Sequence, residues 1–423
     1  MAAQIVVVGG SLGGLRAAEQ LRVNGWSGAL TVVGAEAHLP YNRPPLSKNV
    51  LVSPDISALT AAELVDYPGV ALRRRAHVED VSFVLDTQVA SAALSDRSLR
   101  TVDGRELTYD GLVIATGLRP RRLPIAGFDR HRHALRTLDD AIALRGQLIP
   151  GSAVVVVGGG FIGCEVAASA RRLGCRVTVI EPFAAPMLRP LGVGLARTLQ
   201  TFHEEQGVTF RLGRSVSALV GRAPDPAMLG SVVLDDGTEL EADVLVEAVG
   251  SNPNVEWLAG NGLDLSDGVL CDNMMRAEGR ENVVAVGDVA RFPNPRFDST
   301  PRRVEHWCIP ADTAHRAATT LIHGLSAAEN GHGDPTPFAP LPSFWSDQFD
   351  VRIQGFGRTE HADRIEVLEG GFGPGWVSEG VAVGYFRQST MTGVVIAGGT
   401  PAQRLRHKAL LEQGVGESAA STR

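Results

Sequence analysis

Two glycine-rich segments of this sequence share one spacing. The first is Gly9-Gly-Ser-Leu-Gly-Gly14 and the second is Gly158-Gly-Gly-Phe-Ile-Gly163. In a turn of this type the first glycine allows a sharp bend, the middle one lets a phosphate approach the backbone, and the last lets a helix pack closely on a strand. The phosphates then lie at the helix N-terminus, where free backbone N–H groups point at them. The spacing therefore predicts two sites for the pyrophosphate of a dinucleotide.

Each glycine segment lies between the elements that such a site needs. An apolar strand-like run precedes it, a helical pattern follows, and a second strand-like run ends near an acid, Glu36 in the first copy and Glu181 in the second. These acids stand 22 and 18 residues after the last glycine, where a carboxylate accepts hydrogen bonds from a ribose diol. A single glycine turn is weak evidence, but two complete strand–helix–strand units indicate two separate dinucleotide sites.

The two copies differ at the middle glycine. Gly160 occupies that position in the second copy, whereas the first has Ser11, a small residue whose hydroxyl can face a phosphate oxygen. The segment after Glu181 contains Arg189 but has no arginine directly beside the acid. Because Glu181 repels a 2′-phosphate, we expect the second site to favour NADH over NADPH.

Other segments are candidates for ligand contacts, and most have an ordinary alternative. The proline-bearing loop from Leu39 to Lys48 is either a contact loop or a plain turn. Small-residue turns that end at Gly117 and Gly250 are typical of a chain crossing between two nucleotide-binding domains. Asp288 follows a buried strand-like run and is either a ligand contact or a helix N-cap.

The composition is that of a globular protein with more than one domain. The chain has 423 residues, of which 44% are hydrophobic and 21% charged, and this excludes a disordered chain. Its net charge of −7 argues against a nucleic-acid binder. The sequence shows neither a basic leader nor about 18 consecutive apolar residues, so we expect a cytoplasmic protein without a membrane span.

The cysteines limit the redox chemistry of the chain. There are 4 of them, far apart in the sequence and without a C-x-x-C or C-x4-C pair: Cys164, Cys175, Cys271 and Cys308. Neither a redox disulfide nor a zinc site is predicted, and we expect no metal and a reducing compartment.

A set of segments in this order resembles the oxygenase-coupled NADH:ferredoxin reductases, a branch of the FAD-dependent pyridine nucleotide-disulfide oxidoreductase superfamily. The resemblance covers about residues 4–360. The segments RPPLSK, RVEHW and FWSDQ point to this branch. The glycine-rich turns, ATG and GD are shared by the wider superfamily. The segments are GGSLGG (9–14), LPYNRPPLSK (39–48), ATG (115–117), GGGFIGCE (158–165), VTVIE (177–181), AVGSNPN (248–254), VAVGDVA (284–290), RVEHW (303–307) and PSFWSDQ (342–348).

The resemblance implies an α/β fold with two Rossmann-like dinucleotide-binding domains, for FAD and NADH, and a smaller C-terminal αβ domain. The FAD domain is split in the sequence, and the loop over 331–340 fits a linker into the last domain. The implied boundaries are 1–118 for the first FAD part, 119–243 for the NADH domain, 244–323 for the second FAD part and 324–423 for the C-terminal domain.

The resemblance also implies roles for individual residues. Glu36 is expected to bind the adenosine ribose of FAD, and Trp307 to lie beside the isoalloxazine. Ala35 departs from the family, which often has Asp at that position. The stretch Cys-Ile-Pro-Ala after Trp307 is a second departure, since family members often have Asn-Ala there. The FAD pyrophosphate is assigned to Gly9, Ser11, Gly13 and Gly14, and further FAD contacts to Arg43, Lys48, Val89, Thr116, Gly117, Arg136 and Asp288. Additional cofactor-binding positions are Leu12, Ala35, Ala115, Gly158, Gly160, Phe161, Ile162, Gly163, Glu165, Glu181 and Gly250.

Lys48, Glu165 and Trp307 are the expected catalytic residues. Related enzymes keep an ion pair between the two cofactors, and the resemblance assigns it to Lys48 and Glu165. Each residue has an ordinary alternative, since Glu165 is also placed to interact with its own helix dipole and Lys48 to be a solvated loop charge.

The function implied is transfer of electrons from NADH through FAD to a small iron–sulfur ferredoxin that supplies a cytochrome P450 or a Rieske oxygenase. Since the chain lacks a redox cysteine pair, the flavin has no disulfide to reduce. The alternatives are a rubredoxin reductase or NADH oxidase of the same architecture, and a flavin-bound redox sensor. An oxidase of this superfamily typically has a lone cysteine early in the FAD domain, where this chain has none.

Docking of an acidic ferredoxin needs a basic surface despite the negative net charge. Several arginines are candidates, and the alternative for each is a solvated surface charge. We favour Arg302 and Arg303 because they lie five and four residues before Trp307. The other candidates are Arg73, Arg74, Arg75, Arg119, Arg121 and Arg122.

The acid at the end of the second unit makes a first testable prediction. NADH is expected to give a much higher kcat/KM than NADPH, because the Glu181 carboxylate repels a 2′-phosphate. Glu181→Ser is expected to bring the kcat/KM for NADPH closer to the kcat/KM for NADH. Comparable kcat/KM values for the two nucleotides in the unaltered protein would show that the role assigned to Glu181 is wrong.

Overall fold

The fold was analysed in a computed structural model, which describes residues 3–56, 59–75, 78–325, 336–360 and 362–413. The chain divides into two compact units. The first unit comprises residues 1–42, 59–119 and 252–342, and the second comprises residues 43–58, 120–251 and 343–423. Each unit is therefore assembled from separate stretches of the sequence.

The helices and strands are numbered in chain order. The helices are α1 (Leu12–Val23), α2 (Asn49–Val52), α3 (Ala61–Leu64), α4 (Leu138–Arg145), α5 (Phe161–Arg172), α6 (Leu188–Glu205), α7 (Ile309–Leu325), α8 (Trp376–Glu379) and α9 (Pro401–Glu412). The strands are β1 (Gln4–Val8), β2 (Ala29–Val33), β3 (Ser82–Val84), β4 (Val89–Ala93), β5 (Ser98–Thr101), β6 (Glu106–Thr108), β7 (Gly111–Ile114), β8 (Leu118–Pro120), β9 (Arg132–His133), β10 (Ala153–Val157), β11 (Arg176–Glu181), β12 (Val208–Leu212), β13 (Val216–Gly221), β14 (Leu229–Leu234), β15 (Glu239–Glu241), β16 (Val244–Glu247), β17 (Ser251–Pro253), β18 (Val269–Leu270), β19 (Val283–Ala285), β20 (Ala290–Asn294), β21 (Asp298–Arg303), β22 (Ser343–Gln348), β23 (Val351–Gly357), β24 (Arg364–Glu369), β25 (Val381–Arg387) and β26 (Thr390–Ala397).

The first unit is built on a parallel sheet. Its strand order is β19-β7-β1-β2-β3, the doubly wound order in which the first strand is central. Residues Ile5–Val8 of β1 are buried throughout, because a central strand of such a sheet is covered on both faces. Helices α1 and α7 pack against each other in this unit, which also holds the small sheets β4-β5-β6 and β18-β20-β21.

The second unit contains a parallel sheet and an antiparallel one. The parallel sheet has the order β12-β11-β10-β16-β9, and β10, α5 and β11 form its central strand–helix–strand unit. The antiparallel sheet has the order β22-β23-β26-β25-β24. Apolar residues of α6, among them Leu191, Leu195 and Leu199, form one core with Val383 and Val395 of the antiparallel sheet. Helix α6 also packs against β12 of the parallel sheet, so it contacts both sheets of this unit.

Residues 43–58 belong to the second unit although they follow the second strand of the first. Arg145 on α4 anchors them, since its Nη1 donates to the Val50 carbonyl at 3.0 Å and its Nη2 to the Ser53 carbonyl at 2.5 Å. On α5, the Ser169 hydroxyl donates to the Ser47 carbonyl at 2.7 Å. The loop that carries Lys48 is thus held by the helices of the second unit.

The predicted α/β fold class is confirmed, with both strand–helix–strand units in place and a C-terminal antiparallel sheet. The four domain boundaries stay predictions, and part of the predicted linker, 331–335, lies outside the described residues. Within the described residues, no helix is both long enough and apolar enough to cross a lipid bilayer.

The last glycine of the second turn, Gly163, lies where the helix packs tightly against the end of the strand. A Cβ on Gly163 would lie 1.9 Å from the carbonyl oxygen of Gly158, whereas a Cβ on Gly160 meets nothing within 4 Å. Gly160 also has an ordinary φ of −76°.

Gly163→Ala is therefore expected to lower the free energy of unfolding by at least about 3 kcal/mol, the upper end of overpacking costs. Gly160→Ala is the matched control and is expected to unfold like the unaltered protein. Urea denaturation followed by far-UV circular dichroism measures both. Equal destabilisation by the two variants would contradict the close contact at Gly163.

Candidate functional site

A buried ion pair lies in the second unit. Lys48 Nζ is 2.6 Å from Oε2 of Glu165, and the two side chains are 17% and 6% exposed. Lys48 follows a short 3-10 turn, Pro44–Ser47, while Glu165 lies near the start of α5. Burial to this degree excludes the alternative that Lys48 is a solvated loop charge. The loop and the glycine turn bring together two residues that are 117 positions apart.

Hydroxyl groups complete the surroundings of the Glu165 carboxylate. The Ser47 hydroxyl donates to Oε2 in a short hydrogen bond, and the Ser346 hydroxyl donates to Oε1 at 2.5 Å. Lys48 Nζ also donates to the Pro44 carbonyl at 3.1 Å. Three donors thus meet a group that only accepts when ionised, so the pair is held in one geometry. Sequence reasoning missed Ser47 and Ser346, which stood only as letters in two motifs.

Glu181 lies at the second glycine turn, as the spacing predicts. It is 7% exposed, and its Oε2 accepts the backbone N–H of Gly159 at 2.6 Å. Its Oε1 accepts the N–H of Phe183 at 3.0 Å. The Arg189 guanidinium lies over the Phe183 ring, 4.3 Å from its centroid. The carboxylate is thereby held beside the turn that is predicted to bind the NADH pyrophosphate.

The first glycine turn, in the first unit, has the same plan. Ser11 caps α1 with extended backbone, φ −126° and ψ −164°, so a side chain in place of the middle glycine causes no strain. Glu36 Oε2 accepts the hydroxyl of Tyr41 at 2.6 Å. A Cβ on Gly14 would lie 1.9 Å from the Gly9 carbonyl oxygen, the same contact as in the second turn.

A cavity of about 280 Å³ opens beside Ala35 in the first unit. Ala35 is exposed, and its small side chain leaves room where a larger residue would intrude. Val89, a predicted contact, begins β4 directly after this lining. No sequence pattern marked the other residues that line the cavity. The lining consists of Ala35, Asp86, Thr87, Gln88, Val102 and Asp103.

Asn254 fixes the predicted turn around Thr116 and Gly117, although sequence reasoning did not select it. The Thr116 hydroxyl donates to the Asn254 carbonyl at 2.7 Å, and the Asn254 side-chain amide donates to the Thr116 carbonyl at 3.0 Å. The Asn254 backbone N–H also donates to the Gly117 carbonyl at 3.0 Å. This turn directly follows Ala115 and the buried strand β7.

Asp288 and Trp307 also belong to the first unit. Asp288 is the middle residue of a 3-10 turn, Gly287–Val289, in which Val286 takes the N-cap position, so Asp288 does not cap this turn. Trp307 is 42% exposed. Its indole Nε1–H donates to Oδ1 of Asn42 at 3.2 Å, which holds the ring at the surface of this unit.

The other predicted positions are distributed over both units. Arg43 and Arg136 are joined in the second unit, where Arg43 Nη1 donates to the Arg136 carbonyl at 2.6 Å. Gly250 has a φ of +98°, which favours glycine. The first turns of the two helices that follow the glycine segments hold Leu12, Gly13, Phe161 and Ile162.

None of the four cysteines, all of which lie in the described part of the chain, forms a disulfide. Cys164, Cys175 and Cys271 are buried, and burial raises the pKa of each thiol. Cys308 is half-buried. In the part of the chain that the structure describes, no group of three or more His, Cys, Asp or Glu side chains is arranged to hold a metal ion.

Comparisons with known proteins agree with one another. The pyridine nucleotide-disulphide oxidoreductase family matches residues 3–314. The ferredoxin–NAD(+) reductase component of the p-cumate 2,3-dioxygenase system of Pseudomonas putida is 35% identical over 86% of this chain and 83% of the relative. A rubredoxin–NAD(+) reductase of Pseudomonas putida is 32% identical over 86% of this chain and 89% of the relative. The crystal structure of the covalent putidaredoxin reductase–putidaredoxin complex matches with a TM-score of 0.85 and 29% identity, over 99% of this chain and 97% of that one.

Removing the Glu165 carboxylate tests the buried pair. Glu165→Ala leaves the Lys48 ammonium without its anionic partner, and an unpaired buried charge is strongly unfavourable. We expect reduction of the flavin by NADH to slow by about tenfold or more, equivalent to roughly 1.4 kcal/mol, while FAD content changes little. Stopped-flow absorbance measures the rate.

Glu204→Ala, at an exposed position of α6, is the control and is expected to reduce at the unaltered rate. Reduction of Glu165→Ala at that same rate would show that the pair has only a structural role.

Proposed function

The chain belongs to the pyridine nucleotide-disulphide oxidoreductase family, and from that premise we propose that it is an NADH:ferredoxin reductase. FAD and NADH are its cofactors. Electrons pass from NADH through FAD to a small iron–sulfur ferredoxin, which in turn supplies a cytochrome P450 or a Rieske oxygenase. The proposed location is the cytoplasm.

The glycine turns fit the two cofactors. In both turns a Cβ on the last glycine would lie 1.9 Å from a carbonyl oxygen, and a Cβ on the first glycine would lie 2.1 Å from one at Gly9 and 2.3 Å from one at Gly158. A Cβ on Gly160, the middle glycine of the second turn, would meet nothing within 4 Å, which leaves room for a pyrophosphate. We assign FAD to the turn of the first unit, with Glu36 and Asp288, and NADH to the turn of the second unit, with Glu181. FAD, when bound, accepts a hydride and releases electrons singly. Lys48 and Glu165 set the charge near the flavin ring in this proposal, and the four sequence-predicted domain boundaries are retained.

The main support for the proposed function is the burial of the cysteine thiols. A disulfide reductase needs a thiol pair and an efficient nucleophile needs a thiolate, but three of the four thiols are buried with raised pKa values. None of the four cysteines, all within the described residues, forms a disulfide that could accept electrons from the flavin, and the buried thiols are poor nucleophiles. An external one-electron carrier fits a flavin that has no thiol partner, which supports a reductase over a disulfide enzyme.

The arginines favoured from the sequence have acidic partners. Arg302 Nη1 is 2.5 Å from Asp298 Oδ1. Arg303 is only 10% exposed and contacts both Asp267 and Glu305 at 2.8 Å. Because these acids compensate the positive charge, Arg302 and Arg303 offer little net attraction to an acidic protein.

A more exposed basic segment in the same unit is connected to Trp307 through Asn42 and Val70. The Asn42 side chain that holds the Trp307 indole belongs to a segment whose backbone N–H donates to the Val70 carbonyl at 2.7 Å. The chain continues from Val70 into Arg73, Arg74 and Arg75, whose side chains are exposed. The Arg75 side-chain Nε lies 4.0 Å from Glu19 Oε2, and the Arg75 backbone N–H donates to Glu19 Oε1 at 2.8 Å. We therefore propose residues 73–75 as the docking segment for the ferredoxin.

Charge-reversal variants compare how much each of the two basic segments contributes to ferredoxin docking. Arg73→Glu with Arg74→Glu is expected to raise the KM for ferredoxin by about tenfold or more, since rim charges mainly steer encounter. The matched variant, Arg302→Glu with Arg303→Glu, is expected to raise the KM for ferredoxin by a smaller factor. Cytochrome c reduction reports ferredoxin turnover, and NADH–ferricyanide activity is expected to stay near the unaltered value in both. Ferredoxin turnover is expected to fall with salt, as the Debye length shrinks from about 10 Å at 0.1 M to about 3 Å at 1 M.

The same assay decides among the alternatives. Strong stimulation by rubredoxin but not by ferredoxin would make the protein a rubredoxin reductase, the activity named for one relative of comparable identity. Fast oxygen consumption without stimulation by any carrier would make it an oxidase. Slow reduction followed by a long-lived reduced flavin would favour a sensor.

A further inference from the structure

A row of buried side chains continues from Glu165 on the side away from Lys48. Ser346 donates to Glu165 Oε1 at 2.5 Å, and Gln348 Nε2 donates to the Ser346 hydroxyl oxygen at 3.0 Å. His203 Nε2 is 2.8 Å from Gln348 Oε1. Ser346, Gln348 and His203 are each 0% exposed, and the whole row lies in the second unit.

Three elements supply the row. Glu165 comes from α5 and His203 from α6, while Ser346 and Gln348 lie two positions apart on β22 and so face the same side of the strand. The rings of Phe202, Phe210 and Phe349 pack around the His203 imidazole, with centroids 5.1 to 6.2 Å away. These rings keep water from the end of the row, so its hydrogen bonds act at low dielectric, where they are stronger.

The donors of the row all point toward Glu165. An ionised carboxylate only accepts, so the Ser346 hydroxyl donates to it and accepts from the Gln348 amide. Met187 Sδ, 3.3 Å from Gln348 Nε2, also accepts, which orients the amide. The Gln348 carbonyl must then accept from His203 Nε2–H. Burial lowers the pKa of His203 to about 4, so the ring is neutral near pH 7 and carries its proton on Nε2.

We propose that Ser346, Gln348 and His203 are positioning residues that hold the Glu165 carboxylate in the rotamer that meets Lys48. Without Ser346, Oε1 loses its donor and the carboxylate is free to turn away from the ammonium. This inference rests on the proposed role of the Lys48–Glu165 pair in flavin reduction. It gives a function to Ser346 and Gln348, which the sequence presented only as part of a family motif.

The first experiment measures flavin reduction by NADH in single turnovers, which needs no ferredoxin. Ser346→Ala is expected to slow reduction by about tenfold, equivalent to roughly 1.4 kcal/mol, and Ser346→Thr, which keeps the hydroxyl, to recover most of the rate. Ser378→Ala, the same change at an exposed site of the unit, is the control. FAD content and Tm verify that each variant folds.

A double-mutant cycle separates positioning from general stability. If Ser346 acts through Glu165, Ser346→Ala slows reduction in the unaltered protein but has little further effect in the Glu165→Ala background. Equal slowing in both backgrounds would overturn the inference. A normal rate in Glu165→Ala would instead show that the pair itself has no role, and a lack of ferredoxin stimulation would leave this cycle unaffected.

A second readout does not depend on activity. Nitrogen-15 histidine spectra of the protein, with the His203 signal assigned by its loss in His203→Gln, are expected to show a neutral Nε2–H tautomer from about pH 6 to about pH 9. Ser346→Ala and Gln348→Leu are expected to shift that signal. A His203 ring that titrates in this range, or carries its proton on Nδ1, would contradict the oriented row.

Discussion

A carboxylate removed from water must be met by donors, and Glu165 is met by donors from separate stretches of the chain. Lys48 and Ser47 come from the loop over 43–58, and Ser346 comes from the C-terminal antiparallel sheet. An uncompensated charge at this depth is strongly unfavourable, so each partner is needed for the others to stay buried. The second unit is consequently organised around one side chain at the start of α5, with the loop, the helix and the C-terminal sheet brought to it.

The two glycine turns show how one backbone plan tolerates different residues. A Cβ added to the last glycine would lie 1.9 Å from a carbonyl oxygen in both units, and a Cβ added to the first would lie 2.1 Å from one at Gly9 and 2.3 Å from one at Gly158. The middle position has extended backbone in both turns, and a Cβ on Gly160 would meet nothing within 4 Å, so a residue with a side chain, Ser11, is tolerated at this position. The requirement is therefore steric at two positions and depends on the ligand at the third. Ser11 departs from the common glycine pattern without disturbing the fold.

Local pairing with acids, more than the net charge of −7, decides which arginines of this protein attract an acidic partner. Arg302 and Arg303 lie close to Trp307 in sequence, yet acids compensate both. Arg73 to Arg75 lie far from Trp307 in sequence and are exposed. For an electron carrier that approaches in water, the exposed charges determine the attraction, because a compensated pair has only a weak field at a distance. The proposed docking segment therefore follows from exposure and pairing and not from the number of arginines.

Local patterns in the sequence determined both strand–helix–strand units, their acids and the fold class, because glycine spacing and strand hydrophobicity act between near neighbours. They also pointed to Lys48 and Glu165, through a family resemblance. Tertiary structure alone decided what surrounds that pair, since Ser346 lies 181 positions from Glu165 and the motif that contains Ser346 does not indicate this contact. It also decided that residues 43–58 belong to the second unit and that Val286, not Asp288, takes the N-cap position of the 3-10 turn at Gly287–Val289. Contacts between distant segments depend on how whole elements pack, and a local pattern carries no record of that packing.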